Sequence, residues 1–386
     1  PRRIAAAGHL HRSGGRDRVA MMLRSSRPDP EVRRLLLQLL PARGPSPRRT
    51  RPDTARRRWR LAVKAFGSRE AVGAVIDRTV PGPGGAVRIR AYVPAGGAGA
   101  RPVLAWFHGG GFVFGDLYTA GALCRALANR TGAVVVAVRY RLAPECPLKD
   151  GRADCLAVVE WLAAHAGELG GDPARLAVGG DSAGGGIAAL VAQDHARRRL
   201  PLAAQVLVYP ATDLTGSLPS ASERMPGLFT PEWMAWLRAQ IACVSDLSDP
   251  RASALATPDL RGGAPAIVLT AGFDPLRDEG LEYAARLRAA GVPVRVLHYP
   301  GQIHGFVSFD RIFAGARDAL DRLGRHAANA FAGALEPATE TDLPPRRDVD
   351  QLLWLNPAQR WHELKVAALV ACSFAEGRRN RTEREL

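Results

Sequence analysis

Apolar and polar residues follow one another in blocks along the chain, and these blocks predict alternating strands and helices. Two early segments, 72–80 and 86–93, are predicted strands, and the second places Val87, Ile89 and Val93 on one face. Continuous apolar runs of the kind that is buried in a parallel sheet come next. These runs are 103–107, 133–138, 176–178, 204–209, 266–270 and 294–298.

Segments with a helical pattern separate the apolar runs. They are 120–128, 151–166, 187–198 and 277–290, and a last helix is predicted at about 309–330. Strand–helix alternation at this spacing implies right-handed crossovers, so we predict an α/β fold with a mostly parallel, doubly wound sheet. Residues 216–262 are too many for a simple connection. We interpret them as an insertion, such as a lid, that contains a helix at 231–243.

The two ends of the chain differ from this central body. Residues 1–28 have no periodicity, and we expect a disordered N-terminal extension. A helix is predicted from the candidate cap Asp29, and a second helix runs through Trp59 and Phe66. The composition changes again beyond about residue 335, so 335–386 is a C-terminal extension of unknown role. The predicted globular domain is therefore 29–334.

The charge of the chain is concentrated at its N-terminus. The 386 residues carry a net charge of +16, and residues 1–60 contain 17 arginines and four acidic residues. This arm therefore holds +13, which leaves +3 for 61–386. Because no interleaved aromatic residues accompany the arginines, we expect no nucleic-acid binding. An arm that binds nucleic acid or an anionic surface is kept as an alternative, and it predicts strongly salt-dependent binding.

Cysteines and apolar runs indicate the compartment. The five cysteines are odd in number and scattered, which fits a reducing cytoplasm and has neither metal-ligand nor disulfide spacing. The chain has no apolar run of about 20 residues, so we expect no membrane span.

We also expect no metal and no cofactor, and the oligomeric state is left open to include a homo-oligomer. The sequence begins at Pro1, and Met21 or Met22 is the expected natural start.

One serine has the surroundings of a nucleophile. The segment Gly180-Asp181-Ser182-Ala183-Gly184 follows an apolar run and precedes a predicted helix. It fits the G-x-S-x-G pattern, in which a sharp strand-to-helix turn exposes a serine hydroxyl. Glycines on both sides are needed because a Cβ there would collide with the neighbouring elements. An ordinary glycine turn is the alternative.

A serine hydroxyl needs a general base, and that base needs a carboxylate to orient it. His304 follows the last predicted strand, in a loop that can project toward the serine, whereas its rival His298 lies inside that strand. Asp274 directly follows the strand before it. Asp278 and Glu279 are alternatives, although both lie in the next helix, where acidic residues at a helix start are common.

The segment His108-Gly109-Gly110-Gly111-Phe112 supplies candidate hydrogen-bond donors. Three consecutive glycines allow the main chain to approach a ligand with its N–H groups exposed, as in the HGGG loops of lipases and esterases. Such donors stabilise the oxyanion that develops during acyl transfer. We interpret His108 as a residue that fixes this loop rather than as a base.

Five motifs in this order resemble those of the hormone-sensitive-lipase-like (family IV) carboxylesterases of the α/β-hydrolase superfamily. The resemblance covers roughly residues 29–330. The motifs are His108-Gly109-Gly110-Gly111-Phe112, Tyr140-Arg141-Leu142-Ala143-Pro144-Glu145, Gly180-Asp181-Ser182-Ala183-Gly184, Asp274-Pro275-Leu276-Arg277-Asp278-Glu279-Gly280 and His304-Gly305-Phe306. The resemblance implies an α/β-hydrolase fold with a helical cap, formed by about 29–70 and 216–250.

The resemblance also implies roles for individual residues. Ser182 would be the nucleophile, His304 the base and Asp274 its orienting carboxylate. The N–H groups of Gly110, Gly111 and Ala183 would form the oxyanion hole. Trp233 and Phe306 are candidate substrate contacts, and a wider set of cap-side wall candidates is Leu228, Phe229, Trp233 and Trp236. For any one of these wall candidates, a place in the buried core is an equally good interpretation.

The expected activity is that of a serine carboxylesterase that hydrolyses small, short-chain acyl esters through an acyl-enzyme. Two residues depart from the family pattern: Arg139 stands where an aspartate is common, and Cys146 replaces a histidine. We expect Arg139 to disturb a salt bridge behind the sheet and to lower stability. The main alternative function is a non-catalytic ligand-binding protein on the same fold, and peptidase activity is less favoured.

Overall fold

One sheet of eight strands runs through the part of the chain that the structure, a computed structural model, describes: residues 24–39, 50–97, 99–223, 225 and 229–336. The strands are β1 Ala74–Val80, β2 Val87–Val93, β3 Arg101–Phe107, β4 Val134–Arg139, β5 Gly171–Asp181, β6 Gln205–Val208, β7 Ala266–Phe273 and β8 Val294–Ile303. Their order across the sheet is β1-β2-β4-β3-β5-β6-β7-β8. β1 pairs antiparallel with β2 and β2 with β4, and the later neighbours are parallel. The mostly parallel α/β sheet is confirmed.

Helices cover both faces of this sheet, which explains why the central strands are apolar throughout. In the described residues they are α1 Pro30–Leu39, α2 Pro52–Phe66, α3 Gly121–Thr131, α4 Leu148–His165, α5 Ala183–Arg197, α6 Pro231–Ala242, α7 Arg277–Ala289 and α8 Ala314–Phe331. None of them combines the length and the apolar character that crossing a bilayer requires.

Strand β3 illustrates how the two cores are divided. Val103, Ala105 and Phe107 belong to the apolar cluster on one face, and Leu104 and Trp106 belong to the cluster on the other. All five side chains are fully buried. Side chains alternate between the faces of a strand, so a strand that is buried on both sides must be apolar at every position. The sheet therefore lies between two apolar cores, one on each of its faces.

Several predicted boundaries differ from the observed ones. The prediction started the helix after Ser182 at residue 187, but α5 begins at Ala183. Glycines are poor helix formers, which explains the late predicted start. Here they lie against neighbouring backbone: a Cβ on Gly186 would lie 2.0 Å from the Ala211 carbonyl oxygen. The last helix begins at Ala314 rather than about 309, because a 3₁₀ turn occupies Phe306–Phe309.

The N-terminal helix α1 is attached to the end of the fold. The Glu31 carboxylate accepts hydrogen bonds of 3.0 Å from the backbone N–H groups of Ala314 and Gly315, at the start of α8. Asp29 donates its N–H to the Gly301 carbonyl oxygen at 2.9 Å. Ser25, which lies in the predicted extension 1–28, donates its N–H to the Pro300 oxygen at 3.1 Å.

Other predictions lie outside the described residues. These are the structure of 1–23, that of 40–49 and nearly all of the C-terminal extension, 337–386. Two arginines of α2 are engaged with the body of the protein. Arg56 forms an ion pair with Glu145, and Arg60 forms one with Asp116.

Candidate active site

The three residues predicted to act together each come directly after a strand. Ser182 follows β5, Asp274 follows β7 and His304 follows β8. Because the carboxyl ends of parallel strands lie at one edge of the sheet, the topology brings these side chains to the same crevice. Residues distant in sequence therefore meet without any further rearrangement of the chain.

Ser182 occupies a strained turn between β5 and α5. Its φ is +56° and its ψ is −120°, a combination that is rare for a residue with a side chain. The N–H of Ser182 donates to the Val208 carbonyl oxygen at 2.8 Å, and its own carbonyl accepts from Ala211 at 2.9 Å. Hydrogen bonds on both sides thus hold the turn in place.

The glycines around Ser182 satisfy a steric requirement. A Cβ on Gly180 would lie 2.3 Å from the Gly184 oxygen, and a Cβ on Gly184 would lie 1.9 Å from the Phe107 oxygen. Neither distance is tolerable between non-bonded atoms. The turn can therefore pack against β3 only with glycine at these two positions.

His304 connects the serine to a carboxylate. Its Nε2 lies 2.9 Å from the Ser182 Oγ, and its Nδ1 lies 2.8 Å from the Asp274 Oδ2. A carboxylate only accepts hydrogen bonds, so Nδ1 carries the proton and Nε2 is left to accept from the serine hydroxyl. This is the protonation state in which a histidine can remove a proton from the serine.

Asp274 is the carboxylate that the structure brings to His304. It is fully buried, and its Oδ1 accepts a hydrogen bond of 2.7 Å from the Leu276 N–H. The two alternatives are engaged elsewhere. Asp278 pairs with Arg277, and Glu279 accepts hydrogen bonds from backbone N–H groups at residues 212 and 213.

Aromatic rings enclose the imidazole of His304. The Tyr209 ring lies 4.8 Å from it, and the Phe229 ring lies 5.0 Å away at an angle of 90°. The imidazole is almost completely buried, which keeps bulk water from competing for its hydrogen bonds. His298, the rival histidine, is buried within β8 and hydrogen-bonded to Thr270 at 2.8 Å.

The glycine loop after β3 lies beside Ser182. Gly111 and Ala183 line the same cavity as Ser182 and His304. Gly110 is not in the cavity wall, and a Cβ there would lie 2.0 Å from the Phe114 oxygen. Gly110 and Gly111 have φ values of +127° and +57°, so a side chain at either position would also strain the backbone.

His108 fixes the start of this loop. Its Nδ1–H donates to the Gly109 oxygen at 2.9 Å, and its ring stacks on the Tyr140 ring at 4.4 Å. The Tyr140 hydroxyl donates to the His108 carbonyl oxygen at 2.6 Å. Burial lowers the pKa of His108 to about 4, so the ring is neutral at pH 7.

Asp181 is a residue of the site that the sequence analysis did not single out. Its carboxylate accepts a hydrogen bond from the Trp106 indole, and its second oxygen lies against the Gly109 backbone. Burial raises the pKa of Asp181 to about 6. The available signal was an acidic residue between a buried strand and the serine, where an apolar residue would be expected.

A cavity of about 280 Å³ opens in front of Ser182. Helix α6 contributes Met234, Leu237, Arg238 and Ile241 to one wall. Among the remaining wall residues are Phe229, Leu214, Asp213 and Ser222. The wall is thus mainly apolar, with a few polar groups.

Two predicted substrate contacts are not in this wall. Trp233 packs against Trp236 at 5.3 Å, on another side of α6, and Trp236 donates its indole N–H to the Thr50 oxygen. Phe306 is fully buried between the rings of Tyr209 and Tyr299. Of the wider wall candidates, Phe229 lines the cavity and Leu228 lies outside the described residues.

Metal-binding groups are not clustered in this region. In the described ranges, no group of three or more His, Cys, Asp and Glu side chains is placed to hold a metal ion.

Residues 104–308 match the family described as alpha/beta hydrolase fold. The chain is 42% identical over 264 residues to the carboxylic ester hydrolase LipN of Mycobacterium tuberculosis, covering 64% of this chain and 68% of LipN. It is 40% identical over 226 residues to an ethyl acetate hydrolase of Pseudomonas putida, covering 57% and 71%. A solved hyperthermophilic esterase of Pyrobaculum calidifontis superimposes with a TM-score of 0.73 at 38% identity, covering 80% of this chain and 99% of that one.

Proposed function

The chain belongs to the alpha/beta hydrolase fold family, and from this premise we propose that Ser182, His304 and Asp274 hydrolyse carboxylic esters. The protein is a serine carboxylesterase. The observation that carries the assignment of residues is the unbroken hydrogen-bonded line from Asp274 through His304 to Ser182, whose last member faces the cavity.

In the first half of the reaction, the Ser182 Oγ attacks the ester carbonyl carbon while its proton passes to the His304 Nε2. Asp274 keeps the imidazole oriented and stabilises the imidazolium that forms. The carbonyl oxygen becomes an oxyanion, which accepts hydrogen bonds from the N–H groups of Gly110, Gly111 and Ala183. His304 then gives its proton to the leaving alcohol, and an acyl-serine remains.

In the second half, water replaces the alcohol. His304 removes a proton from that water, and the resulting hydroxide attacks the acyl carbon. The second tetrahedral intermediate collapses, the proton returns to the Ser182 oxygen and the carboxylic acid leaves. Atoms and charges balance without any metal or cofactor, since the same imidazole is base and acid in turn.

The substrate class that we propose is small acyl esters with short chains. The cavity of about 280 Å³ is small for a ligand site and its wall is mainly apolar. A small substrate is also consistent with the relative from Pseudomonas putida, which is named an ethyl acetate hydrolase.

The segment 216–250 is proposed to be one part of a cap over the acyl site, with 29–70 as the other. Helix α6 lines the cavity, and the Trp59 ring of α2 contacts the Phe229 ring at 6.2 Å. The indole of Trp236 bonds to Thr50, which ties α6 to the residues before α2. These contacts support a cap assembled from both segments.

A cytoplasmic location is proposed on the chemistry of the thiols. The four cysteines within the described ranges are all free, and two of them, Cys124 and Cys155, are buried. Fractionation of cells producing the protein, followed by an esterase assay of each fraction, tests this proposal.

Turnover of p-nitrophenyl acetate and p-nitrophenyl butyrate tests the function. We expect Ser182→Ala to lose the activity and the covalent labelling by a fluorophosphonate. Ser222→Ala is the matched control, because Ser222 lines the same cavity while its hydroxyl donates to the Pro219 oxygen. Equal turnover by wild type and Ser182→Ala would refute the assignment, and the absence of turnover from both would favour a ligand-binding protein.

A further inference from the structure

A second cavity, of about 400 Å³, lies beside helix α2 at the same edge of the sheet. It is formed by α2, the start of β2, the end of β4 and the loops after β3 and β4. Five arginines line it: Arg56, Arg60, Arg88, Arg139 and Arg141. Asp116 and Glu145 are its acidic members. We call it the arginine cavity.

Three of the five guanidinium groups are neutralised. Arg56 binds both oxygens of Glu145, at 2.8 and 2.7 Å. Arg60 pairs with Asp116, and Arg141 binds both oxygens of Asp154, at 2.8 Å each. Both acidic side chains of the arginine cavity, Asp116 and Glu145, therefore already form ion pairs.

Arg88 and Arg139 differ from the other three arginines. Among the described residues, neither guanidinium group forms a hydrogen bond or an ion pair, and both side chains are exposed. The positive charge of Arg88 helps to lower the pKa of Asp77, but both oxygens of that carboxylate are already bound by Arg90, at 2.7 and 2.8 Å. Two positive charges of the arginine cavity thus lack a counter-ion within the described chain.

The sheet places these two charges opposite each other. β2 and β4 pair antiparallel, and Arg88 is the register partner of Arg139. Like charges directly opposite on neighbouring strands repel each other and destabilise the sheet. An anion between them would remove this repulsion, and a guanidinium presents two parallel N–H donors that suit a phosphate or carboxylate group.

We infer that the arginine cavity is a binding site for the phosphate group of a small soluble ligand, held by Arg88 and Arg139. A phosphate carries enough charge to neutralise both guanidinium groups and enough oxygens to accept from both at once. The site is separate from the cavity of Ser182, since the two share no wall residue. It therefore adds a second ligand to the ester substrate.

Isothermal titration of the full chain with inorganic phosphate and with glycerol phosphate, against chloride at equal ionic strength, tests the inference. We expect Arg139→Gln to weaken phosphate binding at least tenfold. Arg325→Gln removes one exposed arginine from α8, away from the cavity, and should change binding less than twofold. Equal weakening by both variants would indicate general charge screening and would overturn the inference.

The variant Arg139→Asp separates binding from folding. It places a carboxylate opposite Arg88, so the unfolding temperature in phosphate-free buffer should rise above that of the wild type while phosphate binding disappears. The wild type should instead be stabilised by phosphate, because a ligand that binds the folded state raises the unfolding temperature. Unchanged phosphate binding by Arg139→Asp would exclude the site, whatever its effect on stability, and p-nitrophenyl butyrate turnover confirms that each variant is folded.

Discussion

The carboxylate of Asp181 accepts a hydrogen bond of 3.2 Å from the indole Nε1 of Trp106. Its second oxygen faces the Gly109 backbone, where a Cβ would lie only 2.4 Å away. Asp181 precedes Ser182 in sequence, so a single side chain connects the serine turn to the loop that carries the proposed oxyanion donors.

Asp181→Ala should therefore reduce turnover without removing any group that touches substrate. The Gly109 backbone would lose the carboxylate that packs against it, which frees the donor loop to shift. Small displacements in an active site cost up to about 100-fold in rate. We expect kcat for p-nitrophenyl butyrate to fall by about 10- to 100-fold with a smaller change in KM. Asp172→Ala, which removes a partly exposed carboxylate paired with Arg175, is the control and should retain full turnover. A wild-type kcat for Asp181→Ala would contradict this role.

Asp274→Asn tests the orientation of the imidazole. An asparagine can present an N–H to the His304 Nδ1, which would favour the tautomer that cannot accept the serine proton. We expect kcat to fall by about 10⁴-fold, as is typical of such a substitution in a catalytic triad. Asp278→Asn is the matched comparison, because Asp278 pairs with Arg277 rather than with His304. Similar activity of the two variants would argue against Asp274 as the orienting group.

Stability should depend on pH through His108. Its pKa is lowered by burial from 6.5 to about 4, so the unfolded chain takes up a proton between these values before the folded protein does. The stability that the protein has while His108 is neutral in both the folded and the unfolded state is fully present above pH 6.5 and is lost as the pH falls to about 4. Asp181 works in the opposite direction over the same range, because its raised pKa lets the folded protein take up a proton first.

The variant His108→Gln should separate the contribution of His108 to the pH dependence of stability from that of Asp181. Between pH 7 and pH 4, we expect the wild type to lose about 3 kcal/mol in the free energy of unfolding relative to His108→Gln. This value follows because one unit of pKa shift corresponds to roughly 1.4 kcal/mol. Urea denaturation at pH 4, 5, 6 and 7 measures it. A difference that does not vary with pH would show that His108 is not held neutral by burial.

Gly184→Ala should destabilise the fold. The added Cβ would lie 1.9 Å from the Phe107 oxygen, so α5 or β3 would have to move. We expect a loss of about 3 kcal/mol in the free energy of unfolding. Gly167→Ala is the control, because a Cβ there meets nothing within 4 Å. If both variants unfold at the wild-type urea concentration, the close packing described here is wrong.

Glu31→Ala should loosen the N-terminal helix. The carboxylate satisfies two N–H groups at the start of α8, and hydrogen bonds to a charged group contribute about 1.5–3 kcal/mol. We expect a loss of about 2 kcal/mol in urea denaturation. Arg33→Ala changes an exposed position of the same helix and should have little effect. A comparable loss in both variants would point to helix propensity instead.

The order of elements and the candidate triad could be predicted from the sequence, and the match over residues 104–308 confirms the family resemblance. Apolar runs reveal buried strands because a parallel strand needs apolar residues on both faces. Ser182, Asp274 and His304 could be found because each follows such a run directly. The local sequence pattern was sufficient to predict the position of a residue wherever that residue directly follows a strand.

Features that depend on which strands or helix faces meet could not be predicted. Arg88 faces Arg139 only because β2 pairs with β4, a choice that no local pattern encodes. Trp233 was an attractive substrate contact by residue type, but α6 turns Met234 and Leu237 toward the cavity instead. Asp181 acquires its role from Trp106, 75 positions away in the sequence.

The attachment of α1 also has a consequence for how the chain is made. Glu31 is bonded to residues 283 and 284 positions later, and Ser25 to one 275 positions later. During synthesis, which runs from the N-terminus at about 5–20 residues per second, α1 must wait at least about ten seconds after it is made for its polar partners. Within the described residues, the helix made earliest is therefore among the last to be secured, and completion of α8 is what attaches α1 to the rest of the fold.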